Sequence, residues 1–300
     1  MRTAALVLLC SLVTGIAHGG DATFEKKVAA NPHGIVEISN VAGTIDVSAW
    51  DSAEVEVRAE LGGGVDHIDV LADPGRVSIK VIVPNQTFRS GSTNLHVRVP
   101  RQSELDVSAV SADISTSDVE GRAQLKSVSG SIKADVFDSS AEIKSISGDV
   151  SLRGRGKGSG MGIRVSTISG NIRIDRASGD LDATSVSGDL TVRLDPTRNI
   201  RVRTTSGDLG LEARFAKNGY LDAETVSGAL TLHAISESGM DYEVNTFSGD
   251  IRDCMGAEPE RTSKYGPGQR LVGTLGRTGA DALRVRVKSM SGDVELCDKS

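Results

Sequence analysis

Apolar and polar positions alternate along most of this chain, and the pattern restarts about every twenty residues. Each restart is marked by a Ser-Gly pair. The glycines of these pairs follow one another at steps of 18 to 22 residues, apart from a last step of 43, and are Gly130, Gly148, Gly170, Gly188, Gly207, Gly228, Gly249 and Gly292. A short, regular step of this kind is typical of a solenoid, in which each repeat forms one coil.

Two short strands are predicted in each coil, one before and one after the corner glycine. In the coil of Gly207, Ile200 and Val202 precede the corner and Leu209 follows it. Most coils also have an apolar residue two positions before the glycine, such as Val186, which we interpret as buried. Let the offset of a residue be its distance in the sequence from the corner glycine. The first strand would then bury side chains at odd offsets and the second strand those at even offsets, so we expect a bend just before the corner. Glycine supplies the positive φ of such a corner, and the neighbouring Ser and Asp can bond the local backbone.

The pattern predicts the fold class and the division of the chain. We expect an all-β, single-domain β-solenoid with coils of about 18–22 residues over residues 105–298, interrupted by an insertion near residues 256–282. Residues 36–47 repeat the same template near the start. Residues 35–104 otherwise alternate without the corner, which indicates an N-terminal β-rich capping region after a linker over residues 20–34.

The first residues have the composition of a cleavable secretory signal. Arg2 gives a positive start, residues 4–13 are apolar, and small residues around Ala17 and Gly19 provide a cleavage site. The apolar run is too short to span a membrane, which takes about 20 residues. We therefore expect residues 1–19 to be removed, no transmembrane segment to follow, and a periplasmic or secreted mature protein.

Composition and charge narrow the classes of partner. The chain has 34 Gly and only 3% aromatic residues, as expected for many tight corners, and its net charge of −6 disfavours nucleic acid. One cationic, glycine-rich loop over residues 153–160 could hold an anion. It lacks the spacing of a phosphate-binding loop, so we favour a solvated turn there.

The corners also carry a family resemblance, through a repeated Ser-Gly-Asp-apolar motif. The motif begins at Ser147, Ser187, Ser206, Ser248 and Ser291. With it, the chain resembles the bacterial putative-adhesin family of exported β-strand repeat proteins, a domain family of unknown function, over about residues 35–298. The resemblance implies an exported structural or interaction module of the cell envelope, and it brings no catalytic residues with it.

The acidic position of this motif suggests calcium as one possibility. Coils stack about 4.8 Å apart, so carboxylates at one corner would form a column. The position after each glycine reads, in chain order, Ser131, Asp149, Asn171, Asp189, Asp208, Ala229, Asp250 and Asp293. Because the column is interrupted and like charges at this distance cost only about 1 kcal/mol in water, we favour metal-free turns and expect no cofactor.

A pair of hydroxyl residues flanks the apolar residue before each corner. The pairs are Ser127/Ser129, Ser145/Ser147, Thr167/Ser169, Ser185/Ser187, Thr204/Ser206, Thr225/Ser227, Thr246/Ser248 and Ser289/Ser291. If both members point outward, they form two rows on a flat face that could order water or contact a glycan or an ice surface. The alternative is that they form hydrogen bonds at the corners along the stack.

Residues for catalysis are not brought together by the pattern. His33, His67, His96 and His233 are scattered, and Trp50 is the only tryptophan with which a sugar could stack. We therefore expect no catalytic site and a non-enzymatic, adhesin-like module that is a monomer or associates weakly with itself. Its partner would be an unknown envelope protein or glycan. The alternatives are a carbohydrate-active enzyme and a glycan- or ice-surface-binding protein on a β-helix.

The two cysteines that follow the leader occupy the same place in the repeat. Cys254 and Cys297 each lie five residues after a corner glycine, where other coils carry outward-facing residues. Residues 256–282 form either one coil with a protruding insertion or part of a single enlarged coil. In the second case the cysteines are stacked neighbours, and export to an oxidising compartment predicts a disulfide between them. This bridge would hold the last strand in place, which would otherwise be an unpaired edge.

Overall fold

The computed structural model describes residues 22–83, 91–156, 162–264, 266–277 and 279–298. All regular elements in these ranges are β-strands, so the prediction of an all-β chain is confirmed. No helix of the described residues is long and apolar enough to cross a membrane. The predicted signal over residues 1–19 lies outside the described residues.

The described strands are joined by backbone hydrogen bonds into one continuous system. Their bounds are β1 Ala22–Ala29, β2 Ile35–Trp50, β3 Glu54–Leu61, β4 His67–Asp73, β5 Arg76–Ile82, β6 Thr93–Pro100, β7 Glu104–Ser117, β8 Ala123–Ser127, β9 Ile132–Val136, β10 Ala141–Ser145, β11 Val150–Gly154, β12 Ile163–Ser169, β13 Ile172–Ala177, β14 Leu181–Ser187, β15 Leu190–Ser206, β16 Leu209–Ser227, β17 Leu230–Ser236, β18 Met240–Ser248, β19 Ile251–Asp253, β20 Glu260–Arg261, β21 Gln269–Leu275, β22 Leu283–Ser291 and β23 Val294–Cys297.

Parallel pairing between equivalent strands produces the repeat. The strand before each corner pairs with its counterpart one coil away, as in β8, β10, β12 and β14, and the strand after the corner does the same in β9, β11, β13 and β15. The long strands β15 and β16 each contain the second strand of one coil and the first strand of the next. The result is a solenoid-like stack with its apolar core between the two ladders.

The bend at each corner comes later in the chain than the sequence predicts, after the first strand has buried one more side chain. In β14, side chains seven, five and three positions before the corner Gly188 are buried, and the next two, Val186 and Ser187, are exposed. Burial resumes at Leu190 on the following strand. The first strand therefore buries odd offsets as expected, but the prediction that the residue at offset two is buried is wrong.

The corner glycines stand in a column in which each glycine after Gly130 lies against the corner glycine of the neighbouring coil. A Cβ on Gly207 would collide with the carbonyl oxygen of Gly188, and a Cβ on Gly148 would collide with that of Gly130. Five corners also have a positive φ, for example 126° at Gly207, whereas Gly130, Gly148 and Gly170 do not. The expected positive φ explains the need for glycine at only some of the corners, and close approach of the neighbouring backbone explains it at the others.

We predict that Gly207→Ala destabilises the stack, because its Cβ would meet the neighbouring backbone in a backbone conformation that disfavours side chains. The loss should be about 2–4 kcal/mol in the free energy of unfolding. Gly210→Ala, three residues further along the same coil, is the matched control. An added Cβ there meets nothing within 4 Å, so this variant should be neutral or slightly stabilising. Urea melts of both variants test the prediction, and equal midpoints would contradict it.

At the N-terminal end, chain order and stacking order differ. Strand β2 pairs with β7 on one side and with β5 and β6 on the other, so β5 and β6 form a layer outside β2. The outer edges of this layer pair in the antiparallel sense, β5 with β4, and β6 with β3, which in turn pairs with β1. The stack therefore ends in antiparallel strands instead of open parallel edges.

The C-terminal end shows the same inversion, and the predicted order of the last coils is wrong. Strand β22 lies between β16 and β18, and β23 lies between β17 and β19. The corner of Gly292 therefore stacks between those of Gly228 and Gly249. Strand β21 covers the outer edge of β18 in the antiparallel sense. The last strand is thus paired on both sides and is not the unpaired edge that the sequence suggested.

Candidate interaction surface

The exposed residues two positions before each corner form one continuous row, which we call the apolar file. It has a single polar member, Thr205, between Val186 and Val226. Its large members are 40% to 66% exposed and are, in stacking order, Val110, Val128, Ile146, Ile168, Val186, Val226, Met290 and Phe247. Among the described residues only two other large apolar side chains, Leu71 and Val272, are exposed to this degree. Exposed apolar side chains are therefore concentrated in one row instead of being scattered over the surface.

The parallel register places neighbouring members of the apolar file on adjacent strands. Backbone hydrogen bonds hold this register up to the corner, for example from the Ile146 amide to the Ser127 carbonyl at 3.2 Å and from the Ser147 amide to the Val128 carbonyl at 2.9 Å. With strands about 4.8 Å apart, nine levels give a row roughly 38 Å long.

The hydroxyl residue that precedes every file member except Val110, which follows the buried Ala109, explains why the apolar side chain points outward. Ser145 is buried, and its Oγ accepts a hydrogen bond from the Gly148 amide at 2.9 Å while donating one to the Gly148 carbonyl at 2.9 Å. Ser127 accepts a hydrogen bond from the Gly130 amide in the same way, at 2.8 Å. A small hydroxyl side chain thus takes the inward position and satisfies the turn, and the next residue faces solvent.

The predicted face with two outward rows of hydroxyls does not form. The first member of each pair is buried, as at Thr167 and Ser185, and only the second member, as at Ser169 and Ser187, is exposed. The corner hydrogen bonding that was the alternative is made by Ser127, Ser145, Thr204, Thr225 and Ser289, whereas the hydroxyls of Thr167, Ser185 and Thr246 are buried with no hydrogen-bond partner among the described residues. The surface at the corner therefore consists of one apolar row beside one serine row.

A shallow groove runs along the apolar file at Thr205, between Val186 and Val226. The groove has a volume of about 610 Å³, and Phe247 and Met290 line its far end. One wall carries a charged group of three residues, in which Arg203 and Lys288 lie 3.2 Å and 3.4 Å from the Glu224 carboxylate. Burial by itself would raise the pKa of Glu224, but the hydrogen bonds from its two cationic neighbours outweigh burial and lower it. The group therefore stays ionised at neutral pH.

The aspartates after the corners bond between coils instead of within their own turn. Oδ1 of Asp208 accepts a hydrogen bond from the Ala229 amide at 2.9 Å, and Oδ1 of Asp189 accepts one from the Asp208 amide at 2.9 Å. Asn171 does the same for the Asp189 amide. The expectation of local bonding is corrected here: this column satisfies backbone amides along the stack, and an amide side chain serves as well as a carboxylate.

We predict that Asp208→Asn changes stability by less than about 0.5 kcal/mol, since Asn171 already performs this task with a side-chain amide. Asp208→Ala removes the acceptor and should cost about 1 kcal/mol. Thermal melts of both variants, with and without calcium, test this. A melting shift with calcium in the unmodified protein that disappears in Asp208→Asn would instead establish a metal site.

The structure joins Cys254 and Cys297 by a disulfide, with 4.8 Å between their Cα atoms. The amide of Cys254 bonds to the carbonyl of Leu296 at 3.0 Å, which aligns the ends of β19 and β23. Cys254 is exposed, whereas Cys297 is buried, so only one of the two faces outward as expected. Together with Glu295 they are the one close group of potential metal ligands found in the described ranges, and the disulfide occupies both sulfurs.

The other candidate residues remain apart. His67 contacts Asp66 and Asp69 on the N-terminal layer, and His96 contacts Asp46 at 3.4 Å on a different strand. The cationic loop over residues 153–160 lies partly outside the described residues. In its described part, Arg155 pairs with Asp135 at 3.2 Å, which favours the solvated turn over an anion site.

Comparisons with known proteins agree with the resemblance that the corners carry. The family model described as Toastrack DUF4097 matches residues 33–252, which is more than half of the chain. No curated protein matches the sequence.

Several solved structures are similar to this chain over most of its length. A putative adhesin from Bacteroides fragilis is 11% identical, with 92% of this chain and 97% of that chain covered and a TM-score of 0.45. A putative lipid binding protein from Parabacteroides distasonis is 9% identical, with 93% and 97% covered and a TM-score of 0.46. A putative adhesin from the same species is 13% identical, with 93% and 98% covered and a TM-score of 0.32. Likeness at these values carries no conclusion about binding or activity.

Proposed function

The chain belongs to the Toastrack DUF4097 family, and from that premise we propose that it is an exported, non-enzymatic interaction module of the cell envelope that binds through its apolar file. The leader-like residues 1–19 support export to the periplasm or the exterior. The continuous stack, in which antiparallel strands cover β6 at one end and β18 at the other, supports a rigid scaffold role.

The observation that carries this proposal is the outward orientation of the apolar file. Covering one half-exposed apolar side chain contributes roughly 1 kcal/mol, and the file presents eight of them in one row. A contiguous exposed apolar surface of this kind marks interaction sites in soluble proteins. The stack itself does not need these side chains, because the inward positions beside them are already filled by hydroxyl residues.

Photo-crosslinking in the native cell envelope tests the proposal. A photoreactive residue in place of Ile146 lies on the apolar file, and one in place of Arg173, on the exposed side of β13, is the matched control. We expect a discrete adduct from position 146, lost when Val186→Lys is added, and none from position 173. Equal labelling at both positions would contradict the proposed surface.

The enzymatic alternative predicts a different result for the purified protein. Turnover of an acidic polysaccharide, abolished by the replacement of one acidic residue, would establish a carbohydrate-active enzyme. We expect no turnover.

A further inference from the structure

We propose that the partner of the apolar file is a second copy of this chain, with the two files face to face about a two-fold axis parallel to the stack. This inference rests on the proposed function, because it requires the file to be the contact surface. A two-fold contact brings the same patch of both copies together. A row with one side chain per coil can be matched level by level by a second copy, since both copies have the same spacing.

The size of the surface fits such a contact. A large apolar side chain offers roughly 60–120 Å² when fully exposed, so eight members at 40% to 66% exposure offer roughly 250–500 Å². A facing copy would also cover the exposed serine row and the polar columns on either side. The total approaches the roughly 800 Å² per partner that is standard for stable protein–protein interfaces.

The charges on either side of the apolar file determine the orientation of the axis. Four positions before the corner, one flank carries the exposed cations Lys144, Arg203 and Lys288. One position after the corner, the other flank carries exposed aspartates, which in these same three coils are Asp149, Asp208 and Asp293. An axis parallel to the stack places the cationic flank of one copy on the acidic flank of the other, coil against coil. An axis across the stack would place cations on cations and carboxylates on carboxylates.

In one coil the charge on the cationic flank is reversed, and the acidic flank of the same coil has lost its charge. Glu224 is the acidic residue of the otherwise cationic or neutral flank, and in its coil the position after the corner is Ala229 instead of an aspartate. With the parallel axis, Glu224 therefore faces an alanine, and no coil sets carboxylate against carboxylate. Within each chain Arg203 and Lys288 share Glu224, so the three residues together keep a positive charge for the partner's acidic flank.

Sedimentation of the mature, full-length chain tests whether the copies associate. We expect a dimer, and we expect Ile168→Lys to raise its Kd by more than about tenfold. The melting temperature, measured at concentrations low enough for both proteins to be monomeric, should stay unchanged, because this side chain is already half exposed. Arg173→Glu is the matched control and should leave the dimer intact. A protein that is monomeric at all concentrations, or a dimer unaffected by Ile168→Lys, overturns the inference.

Engineered cysteines test the axis. Val128 and Met290 occupy the second and eighth of the nine levels of the file, and the native cysteines are already bridged. With the parallel axis, Val128→Cys and Met290→Cys should each form a covalent dimer with itself under mild oxidation, and a mixture of the two should form no crosslink between them. Crosslinks only between the two variants would overturn the parallel axis. If position 146 captures a different macromolecule in cells while the purified chain is monomeric, the proposed function stands and this inference fails.

Discussion

Replacing Leu209 by aspartate should prevent the full stack from forming. Leu209 is 1% exposed and lies in register between Leu190 and Leu230, on the strand that follows the corner. The substitution removes roughly 1.5–3 kcal/mol of apolar burial and places a carboxylate among aliphatic side chains with no partner, which costs several kcal/mol more. A total loss of about 4 kcal/mol or more is comparable with the entire stability of an ordinary domain.

Circular dichroism and urea melts of the purified variant measure this effect. Thr191→Asp is the matched control, because Thr191 lies beside Leu190 on β15 with its side chain partly exposed, and its partners in the register are Arg173 and Gly210. The control should melt within about 0.5 kcal/mol of the unmodified protein. A Leu209→Asp variant that melts like the control would show that this position does not belong to the core.

The repeat and the second strand of each coil could be predicted from the sequence, whereas the end of the first strand could not. Period-two alternation identifies Ile200 and Leu209 as buried, and both are. The same reasoning assigned Val186 to the core because it is apolar. The signal that could have corrected this is the Ser or Thr that precedes this position in every coil, since such a side chain can bond to the turn, as that of Ser145 does.

The order of the last coils has a signal in the sequence too, in the charges six positions before each corner. In the structure, Arg201 pairs with Asp222 at 3.7 Å, and the next residues outward are Arg286 and then Glu243, so the signs alternate. Chain order would have set Asp222 beside Glu243, and like charges on facing positions destabilise a sheet.

Glu243 shows how well the inverted order suits these charges. Hydrogen bonding from Asn245 and the nearby charges of Arg270 and Arg286 lower the pKa of Glu243, although burial opposes them. Periodicity alone could not predict the inversion, because residues 256–282 interrupt the repeat where the chain reverses its direction along the stack. The charge order on the outer face could.

The disulfide between Cys254 and Cys297 should be present in the exported protein and should contribute strongly to its stability. The bridge closes a loop with a sequence separation of 43 residues, for which chain entropy gives about 4 kcal/mol. It joins the short outer strand β19 to β23, which β17 holds on its other side. The strand that the bridge protects from fraying is therefore β19, and the last strand is the anchor.

Non-reducing peptide mapping of freshly exported protein should recover one intramolecular link between Cys254 and Cys297. Urea melts with and without reductant then measure its contribution, and the double variant Cys254→Ser/Cys297→Ser is the control that reductant should not affect. Because β23 keeps both of its neighbours without the bridge, we expect the reduced protein to open first at β19 and the strands around it, which hydrogen exchange can follow residue by residue. Two free thiols in fresh material, or melts that ignore the reductant, would contradict a structural role for the bridge.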